Sequence, residues 1–132
     1  MNWKGVTPAI TTSFTEDLKV DYEFMEGHCR WLLDNGCAGI VALGSLGEGA
    51  TLSFDEKVEI LRTCVGSVRG RGVVVAAISA LSTAEAVALA GKAASIAKTP
   101  HRYDGHPASS ASHPFEIHFV RGAPGIVFQH LP

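Results

Sequence analysis

Three apolar runs divide the first hundred residues at regular intervals. These runs consist largely of small or β-branched apolar residues, and they are Val6–Thr12, Cys37–Leu43 and Val73–Ile78. The first run contains Pro8. Continuous apolar runs of this length are typical of strands buried on both faces, as in a parallel sheet. They recur at a spacing of roughly 33 residues, which leaves room for one helix between successive strands.

An amphipathic segment follows the first run and is predicted to form a helix. Asp21 can cap its start, the helix continues to about Asn35, and Gly36 is placed as a C-terminal stop. Four larger side chains fall near one face of this helix: Phe24, His28, Trp31 and Leu32.

Two further helices are predicted to begin with Ser-x-x-Glu capping boxes, in which serine and glutamate each satisfy a free N–H group of the first turn. Ser53 and Glu56 open the second helix, and Ser82 and Glu85 open the third, which spans Thr83 to about Lys98. The inward face of the second helix is predicted to contain Val58, Leu61, Cys64 and Val65.

The alternation of strand and helix predicts βαβ units with right-handed crossovers. A doubly wound open sheet and a (β/α)8 barrel both fit this pattern. An eight-unit barrel at this spacing needs about 260 residues. The chain has 132 residues and contains three units and a remainder.

The remainder differs in composition from the regular part. Residues 101–132 contain five of the six histidines, four of the six prolines and no lysine. Only Phe115–Val120 and Ile126–Phe128 resemble strands, although a fourth strand is expected near position 105. We therefore divide the chain into residues 1–98 and an atypical tail, residues 99–132. We interpret this tail as disordered, or as translated out of frame after an insertion or deletion in a longer gene.

Composition and spacing exclude several classes of function. A net charge of −2 and a pI near 6.3 give no electrostatic case for binding nucleic acid or an anionic membrane. No apolar run approaches the ~20 residues that span a bilayer, and the first residues do not resemble a signal peptide. The tail histidines match no zinc motif, so no metal is expected at His101, His106, His113 or His118.

The cysteines indicate a reducing compartment. They are odd in number and show no CxxC spacing, which predicts reduced thiols in a cytoplasmic protein rather than a disulfide framework. The three are Cys29, Cys37 and Cys64.

The glycine-rich stretch Gly44–Gly49 follows the second apolar run and precedes the second helix. In parallel α/β folds, ligands bind at this edge of the sheet. Glycines allow close approach of the backbone, so that successive N–H groups can bind a carboxylate or a phosphate. Ser45 adds a hydroxyl group. The spacing G-x-x-G-x-G differs from both dinucleotide and P-loop motifs, and a tight turn without a ligand stays an alternative.

Three segments resemble a known family. They are GVTPAITTSFTEDLKVD, GIVALGSLGEGATLSFDEK and VVVAAISALSTAEAVALAGKA. Over residues 3 to about 98 the sequence resembles the dihydrodipicolinate synthase / N-acetylneuraminate lyase family of class I aldolases and lyases. The second segment matches the family's G-[ST]-x-G-E motif. The resemblance implies the N-terminal three βα units of a truncated (β/α)8 TIM barrel.

The resemblance also implies a chemistry. In such enzymes, usually homotetramers, a lysine on a later strand forms a Schiff base with pyruvate or another 2-oxo acid, without a metal or an organic cofactor. The N–H groups of Ser45 and Leu46 would bind the substrate carboxylate, flanked by Gly44 and Gly47. The Ser45 hydroxyl matches a proton-relay position, and Glu48 matches a glutamate that we interpret as structural, holding the loop or a neighbouring helix.

The sequence departs from the family pattern at position 46 and in its lysines. Leu46 stands where lysine-pathway synthases carry a second threonine, which favours another 2-oxo acid substrate, such as that of a sugar-acid dehydratase or a hydratase-aldolase. After Arg71 the only lysines are Lys92 and Lys98, both in the third helix, so the chain alone is expected to be inactive. Two alternatives remain: a non-enzymatic half-barrel that associates with itself or a partner, and a small phosphate-binding α/β module.

Overall fold

In the computed structural model, helices alternate with the strands of a mainly parallel sheet. The structure describes residues 4–68, 70–78 and 80–98, together with the backbone of two strands at 117–121 and 127–128. The helices are α1 (Tyr22–Asp34), α2 (Phe54–Val68) and α3 (Thr83–Lys98). The strands are β1 (Gly39–Ala42), β2 (Val73–Ile78), β3 (Ile117–Arg121) and β4 (Val127–Phe128).

The sheet has the strand order β1-β2-β3-β4. β1 pairs in parallel with β2, and β2 pairs in parallel with β3, so the alternation predicted from the sequence is confirmed for the described units. β4 pairs with β3 in the antiparallel direction. β3 and β4 overlap the two strand-like pieces of the tail, and the region near position 105 lies outside the described residues.

The first predicted strand is much shorter than expected. Between Val6 and Thr12 the structure has only an isolated parallel bridge, which joins Ala9 to Val41. The Val41 N–H donates to the Pro8 carbonyl at 2.8 Å, and the Ile10 N–H donates to the Val41 carbonyl at 3.0 Å. Proline has no N–H to contribute to a ladder. Residues 6–10, here called the edge segment, therefore lie beside β1 as a first strand would, with reduced pairing.

α2 occupies the centre of the packing and contacts α1, α3, β1 and β2. The four residues predicted for its inward face are all buried, which confirms that prediction: Val58, Leu61, Cys64 and Val65. Cys64 Sγ lies 4.0 Å from Cys29 Sγ of α1. The contact with Cys29, together with burial, raises the pKa of the Cys64 thiol well above its usual value.

The ends of α1 lie close to where the sequence places them. The Asp21 carboxylate caps the start by accepting a hydrogen bond from the Phe24 N–H at 2.9 Å. Asn35 follows the last helical residue, and Gly36 has φ 88°, a left-handed conformation that ends helices and favours glycine.

The residues that α1 buries are Met25, Cys29 and Leu33. Of the four residues predicted to share one face, Leu32 is partly buried and packs against the core. Phe24, His28 and Trp31 do lie on one face, as the periodicity indicates, but Phe24 is 57% exposed and Trp31 is 58% exposed. The large aromatic side chains therefore lie outside the core, and smaller residues form the packed face.

Candidate functional site

The candidate site is the loop that connects β1 to α2. Leu43 leaves the strand with φ 62°, residues Ser45–Gly47 form a 3₁₀ turn, and Glu48 has φ 54°. The Gly47 N–H closes the turn by donating to the Gly44 carbonyl at 3.0 Å. Left-handed conformations of non-glycine residues are uncommon and concentrate at functional sites. The loop has two of them within six residues.

Close packing behind the loop explains two of its glycines. A Cβ atom on Gly49 would lie 2.3 Å from the Leu43 carbonyl oxygen, and one on Gly47 would lie 3.1 Å from the Ile10 carbonyl oxygen. The Thr12 hydroxyl also donates a buried hydrogen bond of 2.6 Å to the Gly47 carbonyl. Ile10 at the end of the edge segment and Thr12 just after it therefore hold Gly47 in place.

The outer side of the turn presents unused hydrogen-bond donors. Ser45 and Leu46 are exposed, whereas Gly47 is buried. Within the part of the chain that the structure describes, the backbone N–H groups of Ser45 and Leu46 donate to no protein acceptor, and the Ser45 hydroxyl makes no hydrogen bond. Two adjacent N–H groups and one hydroxyl are thus available to an anionic ligand at the carboxyl end of β1.

Glu48 contributes to the loop through its backbone. Its carbonyl accepts hydrogen bonds from the Thr51 N–H at 2.9 Å and from the Thr51 hydroxyl at 3.0 Å. These bonds connect the turn to the segment that enters α2. The Glu48 carboxylate is exposed and has no partner among the described side chains, so a structural role for the side chain itself stays a prediction.

The start of α2 is ordered by its capping box. Ser53 donates to the Glu56 carboxylate through its N–H at 2.8 Å and through its hydroxyl at 2.6 Å. The hydrogen bond from the Ser53 hydroxyl lowers the pKa of the Glu56 carboxyl, and the hydrogen bond from the Ser53 N–H lowers it by a smaller amount. The loop therefore joins directly to a well-capped helix, whose N-terminal dipole favours negative charge nearby.

Among the described residues, no group of three or more histidine, cysteine, aspartate or glutamate side chains is placed to hold a metal ion. The side chains of His101, His106, His113 and His118 lie outside the described set. No helix in the described ranges is long and apolar enough to cross a membrane.

Solved structures share the arrangement of these units. The chloride-inhibited dihydrodipicolinate synthase from Acinetobacter baumannii, solved with pyruvate, is 30% identical with a TM-score of 0.68, over 72% of this chain and 33% of that one. N-acetylneuraminate lyase from Mycoplasma synoviae is 32% identical with a TM-score of 0.68, over 71% of this chain and 32% of that one. The chain thus has the fold of the N-terminal part of a TIM barrel.

The family model described as the dihydrodipicolinate synthetase family matches residues 2–129. The chain belongs to this family. The match continues past residue 98, where the resemblance noted from the sequence ends. The division at residue 98 and the out-of-frame origin of the tail stay predictions.

The chain is short relative to these proteins. The 4-hydroxy-tetrahydrodipicolinate synthase of Maridesulfovibrio salexigens is 30% identical over 142 aligned positions, which cover 96% of this chain and 48% of that protein. Other curated relatives are covered over about 30% of their length. The chain therefore spans between about a third and a half of the relatives that it matches.

Thr12 contacts the loop, but no sequence pattern assigned it to the site. Its partner is a backbone carbonyl 35 positions away, and no residue-type motif reports such a contact. The available signal was its place in the N-terminal segment that resembles the family.

Proposed function

We propose that this chain provides the carboxylate-binding part of a Schiff-base lyase or aldolase that acts on pyruvate or another 2-oxo acid. Family membership supports the class of reaction. The observation that carries the proposal is that the backbone N–H groups of two adjacent exposed residues, Ser45 and Leu46, have no acceptor in the described structure. A 2-oxo acid has a carboxylate next to the ketone under attack, and fixing that carboxylate orients the ketone.

The loop residues take separate roles in this proposal. Gly44 and Gly47 shape the turn, and the N–H groups of Ser45 and Leu46 bind the carboxylate. The Ser45 hydroxyl relays protons as the carbinolamine becomes an imine. Positioned acid–base catalysis of this kind contributes roughly 10²–10⁴-fold to a rate.

The nucleophilic lysine comes from a part of the barrel beyond the described units. Lys92 lies on α3, and Lys98 is the last residue of the same helix. Neither lies at the carboxyl end of a strand, where barrel enzymes place catalytic residues. We therefore expect the chain alone to be inactive and to act only within a complete barrel, as a homotetramer and without a metal or an organic cofactor.

Borohydride trapping tests the inactivity of the isolated chain. Borohydride reduces a lysine–pyruvate imine to a stable adduct, which intact-mass spectrometry detects. We expect no adduct on the purified chain with pyruvate, and a stoichiometric adduct on the Acinetobacter baumannii synthase under the same conditions. A covalent adduct on the purified chain would refute this part of the proposal.

A chimera tests the role of Ser45 itself. In this chimera, the chain replaces the corresponding part of the Acinetobacter baumannii synthase. The assay uses as substrate whichever 2-oxo acid the chimera converts. Ser45→Ala keeps the backbone N–H but removes the hydroxyl, so kcat is expected to fall by about 10²–10⁴-fold with KM for the 2-oxo acid little changed. Ser45→Thr restores the hydroxyl and is the matched control. Full activity of Ser45→Ala would exclude Ser45 from the relay.

The identity of the 2-oxo acid depends on the side chain at position 46. Leu46 is 65% exposed beside the proposed carboxylate site, where an apolar group replaces the hydroxyl expected for lysine-pathway synthases. We propose a substrate of the sugar-acid dehydratase or hydratase-aldolase type. Thermal stabilisation of the chain by phosphate or nucleotides, but not by pyruvate, would instead support a phosphate-binding module.

A further inference from the structure

The two available N–H groups of the loop belong to peptide groups whose carbonyls are held inside the turn. The Gly44 carbonyl accepts a hydrogen bond from the Gly47 N–H at 3.0 Å. The Ser45 carbonyl accepts a hydrogen bond from the Glu48 N–H at 3.3 Å. In a planar trans peptide group, the C=O and the N–H point in opposite directions. The inward carbonyls therefore turn the N–H groups of Ser45 and Leu46 outward.

The hydrogen bonds within this turn need support from outside it. Short 3₁₀ segments have poor hydrogen-bond geometry, and the bond that holds the Ser45 carbonyl is long at 3.3 Å. Its donor, the Glu48 N–H, belongs to the same peptide group as the Gly47 carbonyl. That carbonyl accepts the 2.6 Å hydrogen bond from the Thr12 hydroxyl. The bond from Thr12 therefore also fixes the direction of the Glu48 N–H.

The Gly47 carbonyl depends on Thr12 for its hydrogen bond. Among the residues that the structure describes, the Thr12 hydroxyl is its only donor. The Thr51 N–H, four residues further on, donates to the Glu48 carbonyl instead, at 2.9 Å. Gly47 is buried and Thr12 is 8% exposed, so water does not readily replace the hydroxyl. A buried carbonyl without a donor is unfavourable, and the peptide group after Gly47 would rotate without Thr12.

We propose that Thr12 is a positioning residue of the carboxylate site. Its hydroxyl fixes the peptide group between Gly47 and Glu48, and this peptide group keeps the Leu46 N–H directed at the bound acid. Thr12 acts from behind the loop, without contact to the acid. The inference rests on the proposed function, because it requires a carboxylate at the N–H groups of Ser45 and Leu46.

Titration of the whole chain with pyruvate tests this role. The chain is labelled with nitrogen-15, and the amide resonances of Ser45 and Leu46 report the affinity for pyruvate. Thr12→Val keeps the size of the side chain and removes its donor. We expect the affinity for pyruvate to fall about tenfold, as the loss of one hydrogen bond to a charged group does. Thr12→Ser keeps the hydroxyl and is expected to restore most of the affinity.

Ser67→Ala is the matched control for the loss of a buried hydroxyl. Ser67 is buried and donates to the Thr63 carbonyl at 2.7 Å. It lies in the last turn of α2, about 20 Å along the helix axis from the loop. Ser67→Ala should lower the midpoint of urea unfolding, as Thr12→Val does, but leave the affinity for pyruvate unchanged. A loss of global stability alone does not alter the affinity of the folded state.

Pyruvamide, the neutral amide of pyruvate, separates failure of this inference from failure of the proposed function. Equal affinities of the wild-type chain for pyruvate and pyruvamide would refute the carboxylate site itself. If the wild-type chain prefers pyruvate, an unchanged affinity of Thr12→Val would refute the role of Thr12 alone. A Thr12→Ser variant as weak as Thr12→Val, or an equal loss of affinity in Ser67→Ala, would refute it too.

A second variant and a second protein complete the test. If Thr12→Val does not fold, Thr12→Cys takes its place, because a thiol is a weaker donor than a hydroxyl. If the resonances of the isolated chain do not respond to pyruvate, the chimera with the Acinetobacter baumannii synthase decides. There Thr12→Val must raise KM for the 2-oxo acid about tenfold with a smaller change in kcat, whereas Ser45→Ala acts on kcat. An unchanged KM would refute the role of Thr12.

Discussion

α2 and α3 begin with the same Ser-x-x-Glu sequence, yet the two glutamates have different partners. At α2, Ser53 donates to the Glu56 carboxylate and accepts from the Glu56 N–H at 3.3 Å, which completes a reciprocal capping box. At α3, the Ser82 hydroxyl accepts from the Glu85 N–H at 3.2 Å, and the Glu85 carboxylate binds the Lys57 ammonium group at 2.9 Å. Only half of the second box is formed.

The cause of the difference is the environment of Lys57. This side chain lies between α2 and α3 and is 4% exposed. A buried ammonium group without a counter-charge is costly, because it has lost its hydration. The Glu85 carboxylate neutralises it and so is not available to its own helix start. A capping motif therefore predicts where a helix begins, whereas a buried charge on a neighbouring helix decides what the glutamate binds.

The largest expected effect comes from removing the charge of Glu85. Glu85→Gln leaves Lys57 buried and unpaired, and we expect a loss of about 2 kcal/mol in the free energy of unfolding at pH 7. This is below the ~3–5 kcal/mol typical of fully buried pairs, since the Glu85 side chain is 35% exposed and partly screened. Urea denaturation followed by circular dichroism measures it.

An exposed ion pair on α2 provides the control for this result. Arg62 and Glu59 are 3.0 Å apart and about half exposed, so Glu59→Gln is expected to cost less than ~0.5 kcal/mol. Lys57→Met should also cost less than Glu85→Gln, because it removes the buried charge instead of leaving it unpaired. Equal losses for Glu85→Gln and Glu59→Gln would contradict the explanation given for the second box.

The two serines should differ by a smaller amount. Ser53→Ala removes the hydroxyl from both hydrogen bonds that it shares with Glu56, and a loss of about 1–1.5 kcal/mol is expected. Ser82→Ala removes one hydrogen bond to the Glu85 N–H, and about 0.5–1 kcal/mol is expected. The same denaturation curves report both variants. A loss for Ser82→Ala as large as that for Ser53→Ala would indicate that the boxes are equivalent.

Local sequence was sufficient for the elements whose causes are local. β2 and α3 have the predicted bounds, because a continuous apolar run and a capping serine with a following glutamate act over a few residues. The first strand is shorter than its apolar run predicts, because Pro8 has no N–H to contribute to the ladder. The sequence also located the candidate loop, whose proposed binding residues are adjacent in the chain.

The other differences concern contacts between distant residues. Periodicity showed that Phe24, His28 and Trp31 share a face of α1, but it could not show that this face lies outside the core, because smaller apolar residues on another face are the ones that pack. The hydrogen bond from Thr12 to Gly47 and the pair of Lys57 and Glu85 join residues 35 and 28 positions apart. Such contacts follow from the packing of whole units and not from a local pattern.

The smallest expected effect is the pH dependence of the first box. Ser53 holds the pKa of the Glu56 carboxyl below its usual value of 4.5 by hydrogen bonding to the ionised form. A folded-state pKa below the unfolded value means that the stabilisation is complete above about pH 4.5. It is lost as the pH falls through the folded-state pKa. The stability difference between wild type and Glu56→Gln is therefore expected to shrink between pH 6 and pH 3.

The comparison with Ser53→Ala sharpens this last test. In a Ser53→Ala background the Glu56 carboxylate loses the hydroxyl that donates to it, so the pH dependence that Glu56→Gln removes should be weaker than in wild type. The measurement is a series of urea unfolding curves at fixed ionic strength across this pH range. The difference in the free energy of unfolding between wild type and Glu56→Gln could instead stay constant down to pH 3. The ionised carboxylate would then not stabilise the start of α2, and the contrast between the two boxes would depend on Lys57 alone.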